Sequence, residues 1–163
     1  MPDRSAIDRP ASPIADAACS CGRLRRASRA LTQFYDDALA PSGLSVTQFS
    51  LLSNLARIGT MRMSDFAEAY LVDRTALGRM LDPLVERGYV EIVRGRDART
   101  REASITREGR SALAAARGAW KRAQGQVARK LGPERLEALI GTLAELEKLH
   151  PDAARPTRRK EPP

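Results

Sequence analysis

Residues 63–90 read MSDFAEAYLVDRTALGRMLDPLVERGYV, and the way this stretch folds decides the rest of the chain. Ser64 stands as the N-cap of a short helix, SDFAEAYL, and Asp65 falls in its first turn, where a carboxylate suits the helix dipole. Val72 and Asp73 make a turn. A second helix runs from Arg74 to about Arg87, where Gly88 stops it. Its apolar stripe is Leu77, Met80, Leu81, Leu84 and Val85, which leaves Arg74, Thr75, Ala76, Gly78 and Arg79 on exposed N-terminal turns. Pro83 lies inside this helix, removes one backbone donor and is expected to bend it.

A β-prone run, Tyr89 to Val93, follows, and then RGRDARTREASIT, residues 94–106. Arg94, Arg96, Arg99 and Arg101 crowd one short loop between two strands, with Asp97 among them. Helix, tight turn, helix and hairpin in that order make a winged helix-turn-helix. A helix about 10–12 Å across fits the major groove of duplex DNA. The hairpin then reaches the neighbouring minor groove or backbone, where arginine is favoured. The expected DNA-binding residues are Arg74, Thr75, Gly78 and Arg79 on the helix and Arg94, Arg96, Arg99 and Arg101 on the wing. Asp97 is expected to orient Arg99 or Arg101 through a charge-assisted hydrogen bond. The alternative for the loop is a solvated charged turn.

Helical periodicity governs the remainder. A first helix over Ala18–Leu39 carries Leu24, Ala27, Leu31, Phe34, Ala38 and Leu39 on one stripe and Arg23, Arg25, Arg26 and Arg29 on the other face. APSGLS breaks it, and Ser45 caps a helix over Thr47–Ile58. After the hairpin, a long helix runs from Arg107 to about Lys130, and Gly132-Pro133 separates it from another over Glu134–Leu149. Trp120, Ala123, Val127 and Leu131 form a second seam on the long helix, and the last helix is apolar along one side. So much apolar helical surface calls for a partner subunit as well as packing within the chain. The expected fold is mainly α with a small β-hairpin wing. Residues 45–106 form the DNA-binding winged helix, and N- and C-terminal helices (18–40 and 107–149) form the dimerisation region of a single domain over 17–150. Residues 1–16 and 151–163 are expected to be a disordered arm and a disordered basic tail.

A net charge of +8, with arginine far outnumbering lysine, points to a polyanionic partner. No run of apolar residues is long enough for a membrane helix, and the first residues lack the pattern of a signal peptide, so the cytoplasm is expected. No P-loop, dinucleotide fingerprint, metal-ligand cluster or nucleophile–base set is present, and His150 is the sole histidine. Neither an enzyme nor a metal or cofactor is expected.

From Cys19 to about Leu149 the chain resembles the MarR family of transcriptional regulators. The resemblance rests on GLSVTQFSLLSNLAR (43–57), residues 63–90, RDART (96–100) and ITREGR (105–110). Asp97-Ala98-Arg99 matches the family's wing-tip mark, whereas Ala76 and Gly78 stand where many members carry threonines. What the resemblance implies is a homodimeric repressor on a pseudo-palindromic operator in double-stranded DNA, released by a small phenolic or aromatic acid. A two-fold dimer places its reading helices about 34 Å apart, or about 10 base pairs. The resemblance puts the ligand between the first, second and fifth helices and the DNA-binding lobe, with Phe34, Phe49 and Trp120 as lining and Arg29 for a carboxylate. Cys19 and Cys21 open the first helix beside Arg23, Arg25 and Arg26, a setting in which thiols react as thiolates. An oxidant-sensing repressor is therefore an alternative, and a winged helix used only for protein docking is another.

Overall fold

The computed structural model describes residues 19–95 and 100–151. Six α-helices and three strands occur among them: α1 (Ser20–Leu39), α2 (Val46–Ile58), β1 (Met61–Arg62), α3 (Met63–Ala69), α4 (Arg74–Glu86), β2 (Val90–Arg94), β3 (Arg101–Ile105), α5 (Arg107–Leu131) and α6 (Pro133–Glu147). This is the winged helix-turn-helix set into a helical frame. The wing-tip residues Arg96, Asp97 and Arg99 lie outside the described residues, as do the arm at 1–16 and the tail beyond Pro151. The chain divides into two compact units, Met1–Phe34 and Tyr35–Pro163.

Local chemistry sets the helix starts in the larger unit. Ser45 and Gln48 form a capping box at α2, in which each side chain satisfies the other's backbone N–H. The Asp36 carboxylate also accepts from the Val46 N–H at 2.6 Å. Asp73 caps α4 by accepting from the Ala76 N–H at 2.8 Å. Thr106 caps α5, accepting from the Gly109 N–H at 3.0 Å while its hydroxyl donates to the Gly88 carbonyl at 2.7 Å. That one threonine ties the start of α5 to the end of α4.

Ser64 does not cap α3. The helix begins one residue earlier, Arg62 takes the N-cap position without a side-chain bond, and Ser64 Oγ donates to Asp65 instead. The cause is β1, which delivers the chain straight into the helix. Sequence periodicity did not foresee β1, nor the 3-10 turn at Ala40–Ser42. The last helix starts at Pro133, whose fixed φ suits a first helical position, and ends at Glu147 rather than Leu149.

The sheet has the order β1-β3-β2, antiparallel throughout. Val90 pairs with Ile105, Ile92 with Ala103 and Met61 also with Ala103, which places the fully buried Ala103 at the sheet centre. The core gathers Leu51, Leu52 and Leu55 of α2, Phe66 of α3, Leu77, Leu81 and Leu84 of α4, and Leu113 and Ala116 of α5. Each of the α4 leucines is fully buried, and burying such a side chain is worth about 1.5–3 kcal/mol. Val85, expected on the same stripe, is 38% exposed, and Met80 is half-buried against the core.

Other apolar stripes are left open. Leu24 and Leu31 of α1 are exposed, and Leu39 is that helix's one buried residue. No residue of α6 is buried, and Ile140 is 57% exposed. Among the described residues, no helix is long and apolar enough to cross a membrane.

Candidate nucleic-acid interface

The first turns of α4 face outward. Arg74, Thr75 and Arg79 are exposed, and Gly78 is half-buried with nothing within 4 Å of the position a Cβ would take. The helix is held firmly from both ends. Asp73 caps its start. At its far end, Arg87 donates to the Gly43 carbonyl at 2.7 Å, and its guanidinium lies 4.7 Å from the centre of the Tyr89 ring. Arg87 is thus committed to the scaffold, whereas Arg74, Thr75 and Arg79 at the other end are exposed.

The wing rises beside α4. Arg94 and Arg101 are exposed and directly opposite one another in the β2–β3 register. Like charges in that relation destabilise a hairpin unless an anion lies between or beside them. Just beyond them, the Gly95 N–H donates to the Thr100 carbonyl at 2.9 Å and narrows the hairpin. A Cβ at Gly95 would fall 2.4 Å from Thr100 Oγ1, so a larger residue there would require the Thr100 and Glu102 side chains to turn aside.

Between α4 and the wing lies a cleft of about 360 Å³ lined by Arg62, Ser64, Arg74, Gly78, Asp82, Ile92, Thr100 and Arg101. Three arginines from three separate elements meet there. Arg62 was not among the residues expected from the sequence. Its place depends on β1, whose two residues pair with Ala103 and Glu102 about forty positions later. Asp82 sets a single carboxylate on the same cleft wall.

A second concavity lies between α2 and α5. Phe49 and Trp120 stack with ring centres 5.4 Å apart and planes 16° from parallel. They form the apolar floor of a groove of about 580 Å³ whose rim carries Ser50, Ser53, Asn54, Arg117 and Lys121. Two of the residues expected to hold a ligand are therefore together. The other two, Arg29 and Phe34, belong to the unit Met1–Phe34, Arg29 exposed and Phe34 half-buried. The cations at this groove are Arg117 and Lys121, set three residues before and one after Trp120. Arg117 is thus a helical neighbour of both, at i,i+3 to Trp120 and i,i+4 to Lys121, a spacing readable in the sequence.

Tyr35 closes the larger unit near this groove by donating from its hydroxyl to Gln124 Oε1 on α5, and burial holds its hydroxyl above the usual tyrosine range. Cys19 and Cys21 are both exposed free thiols, Cys19 just outside α1 and Cys21 in its first turn. Among the described residues no group of His, Cys, Asp and Glu is placed to hold a metal ion.

Residues 44–99 match the model of the MarR family. Among solved structures, the transcriptional regulator MosR of M. tuberculosis in complex with DNA is 37% identical, with 80% of this chain and 97% of that one covered and a TM-score of 0.72. A second MosR crystal structure is 34% identical over 83% of this chain and 99% of that one, with a TM-score of 0.71. The transcriptional repressor CouR bound to a 23-mer DNA duplex is 26% identical over 80% and 93%, with a TM-score of 0.72. No curated protein sequence matches the chain. The exposed start of α4, the cationic wing beside it and this identity over nearly the full length of a DNA-bound regulator lead to one conclusion: the chain belongs to the MarR family of transcriptional regulators.

Proposed function

We propose that the protein is a cytoplasmic homodimeric repressor. Each subunit lays the first turns of α4 into the major groove of a pseudo-palindromic operator and rests its wing on the adjacent backbone. Arg79, Arg74 and Thr75 read base edges, and Gly78 lets the helix approach closely. Arg94 and Arg101, with Arg96 and Arg99 at the tip, bind phosphates, and Asp97 orients a tip arginine. One observation carries this reading: Arg94 and Arg101 face each other across the hairpin beside an exposed reading helix, an arrangement that an anion stabilises. The DNA complexes of MosR and CouR support it.

The experiment is a mobility shift on the duplex flanking the protein's own gene, repeated with Arg79→Ala and Arg99→Ala. Arg99→Ala weakens binding to every duplex alike, whereas Arg79→Ala also blurs the preference for the operator. Equal, sequence-blind losses from the two changes overturn the division between helix and wing. A protein that shows no salt-dependent binding to any duplex is instead a docking module.

The groove at Phe49 and Trp120 is the effector site in this reading. An aromatic floor with Arg117 and Lys121 at the rim suits a small aromatic acid, whose ring stacks and whose carboxylate meets a cation. Salicylate and 4-hydroxybenzoate are the probes, and Arg117→Ala is the variant expected to lose their effect. A second reading rests on the exposure of both Cys19 and Cys21. Peroxide converts a thiol to a sulfenic acid with release of water, and a second thiol displaces a further water to form a disulfide. DNA binding that falls with peroxide and returns with dithiothreitol, and is unresponsive in the double serine variant, selects that reading.

A further inference from the structure

Ser50 and Asn54 each serve two neighbours. Both line the groove beside Trp120. Both also engage Tyr70: Asn54 Nδ2 donates to its hydroxyl at 2.8 Å, and Ser50 Oγ lies 3.0 Å from the same oxygen. Tyr70 is the residue on which α3 ends, and its ring meets the fully buried Phe66 edge-on at 5.3 Å. Leu71 follows with φ +53°, the one positive φ of a non-glycine residue among those described. Backbone in that region persists only where its surroundings hold it. Here the Leu71 N–H donates to the Glu68 carbonyl and the Val72 N–H to the Ala67 carbonyl, each at 3.0 Å. Asp73 then caps the reading helix. The Tyr70 hydroxyl is therefore the polar pin that fastens the helix-turn-helix turn to α2, three residues before the cap of α4.

We propose that Tyr70 is a positioning residue that couples the α2–α5 groove to the reading helix, and that a polar aromatic occupant of the groove acts by competing with it for Asn54 and Ser50. The effector half rests on the function proposed above; the coupling itself does not. Asn54 Nδ2 carries a second N–H and its carbonyl oxygen accepts from Arg57 at 3.3 Å, so an oxygen of the occupant engages that second N–H and draws the amide into the groove, away from Tyr70. Loss of that bond frees the Tyr70 hydroxyl, relaxes the turn at Leu71 and shifts the cap that aims Arg74 and Thr75. Coupling is reciprocal: DNA that fixes α4 must in turn alter the surroundings of Trp120.

Trp120 is the sole tryptophan and reports on the groove directly. The test adds the duplex flanking the protein's own gene to the full chain and follows Trp120 emission at saturation, without any small molecule. The wild type is expected to shift its emission. Tyr70→Phe keeps the ring against Phe66, still binds the duplex and loses most of the shift. Asn54→Ala, which removes the partner instead, repeats that loss and stands in should Tyr70→Phe fail to fold. Tyr89→Phe, which removes a hydroxyl bonded to Arg87 beyond the far end of α4, retains the shift. A wild-type shift in folded, saturated Tyr70→Phe overturns the proposal, and so does a wild type that binds with no shift.

A second arm adds salicylate. It is expected to weaken wild-type DNA binding by about 5- to 150-fold and that of Tyr70→Phe by less than about twofold, with salicylate bound by Tyr70→Phe at least as tightly as by the wild type. Equal weakening in the two proteins overturns the competition. A salicylate that leaves wild-type emission and DNA affinity unchanged defeats the effector reading, and the emission arm alone then decides the coupling.

Discussion

Two glycines of the larger unit, Gly78 and Gly109, have opposite reasons for being glycine. A Cβ on Gly109 would sit 2.2 Å from the Tyr89 carbonyl oxygen, a backbone atom with no freedom to withdraw. Gly109→Ala is expected to cost about 1–3 kcal/mol, read from the urea midpoint, because α5 must back away from the end of α4. Gly78 has open space around it and a helical backbone, so Gly78→Ala should gain about 0.5–1 kcal/mol while obstructing the approach to DNA. Stability and DNA affinity then move in opposite directions from one methyl group. Arg62→Ala is expected to act as the loss of a phosphate contact: weaker binding to all sequences and a salt slope shallower by about 0.9.

At the scale of elements, the start of α4 governs the presentation of Arg74 and Thr75. Asp73→Ala should cost about 0.5–2 kcal/mol of stability and a larger share of DNA affinity, since the frayed turn carries the residues proposed to read base edges. Hydrogen exchange at Ala76 reports the fraying. At α5, backbone hydrogen bonding first, and then Arg107, hold the Glu108 carboxyl below the ordinary carboxylate range. With its folded value lowered, this interaction is complete above the unfolded carboxylate value and is lost as pH falls through the folded one, so acid should loosen the first turn of α5. Legibility in the sequence followed the same scale. The reading helix and hairpin were plain because the apolar period of Leu77, Leu81 and Leu84 gives way to a β-prone run at Tyr89. β1 was not, because two residues carry no period and their partners are distant. Arg62 depends on that strand for its place, and the same strand starts α3 ahead of Ser64, the residue the sequence favours as its cap. Phe49 and Trp120 were found as aromatic residues at apolar helix positions; their stacking needed the approach of α2 to α5.

For the molecule as a whole, α6 exposes several large apolar side chains among the described residues. Leu139, Ile140 and Leu146 are each more than a third exposed, and the dimer proposed above supplies their cover. Leu139→Glu with Ile140→Glu should yield a folded monomer by sedimentation, with operator affinity reduced to that of one half-site. The charge of +8 is expected to make wild-type binding steeply salt-dependent. With roughly 6–10 phosphates neutralised, affinity falls about 10³- to 10⁵-fold between roughly 50 and 200 mM salt. The strand order adds a mechanical consequence. Because β3 is flanked by β2 on one side and, at Glu102 and Ala103, by β1 on the other, the base of the hairpin is tied to the strand that leads into α3. A load on the described arms passes through Met61 into the start of α3, so in the proposed complex the base of the finger and the helix-turn-helix would enter and leave the duplex together, like a claw on one knuckle.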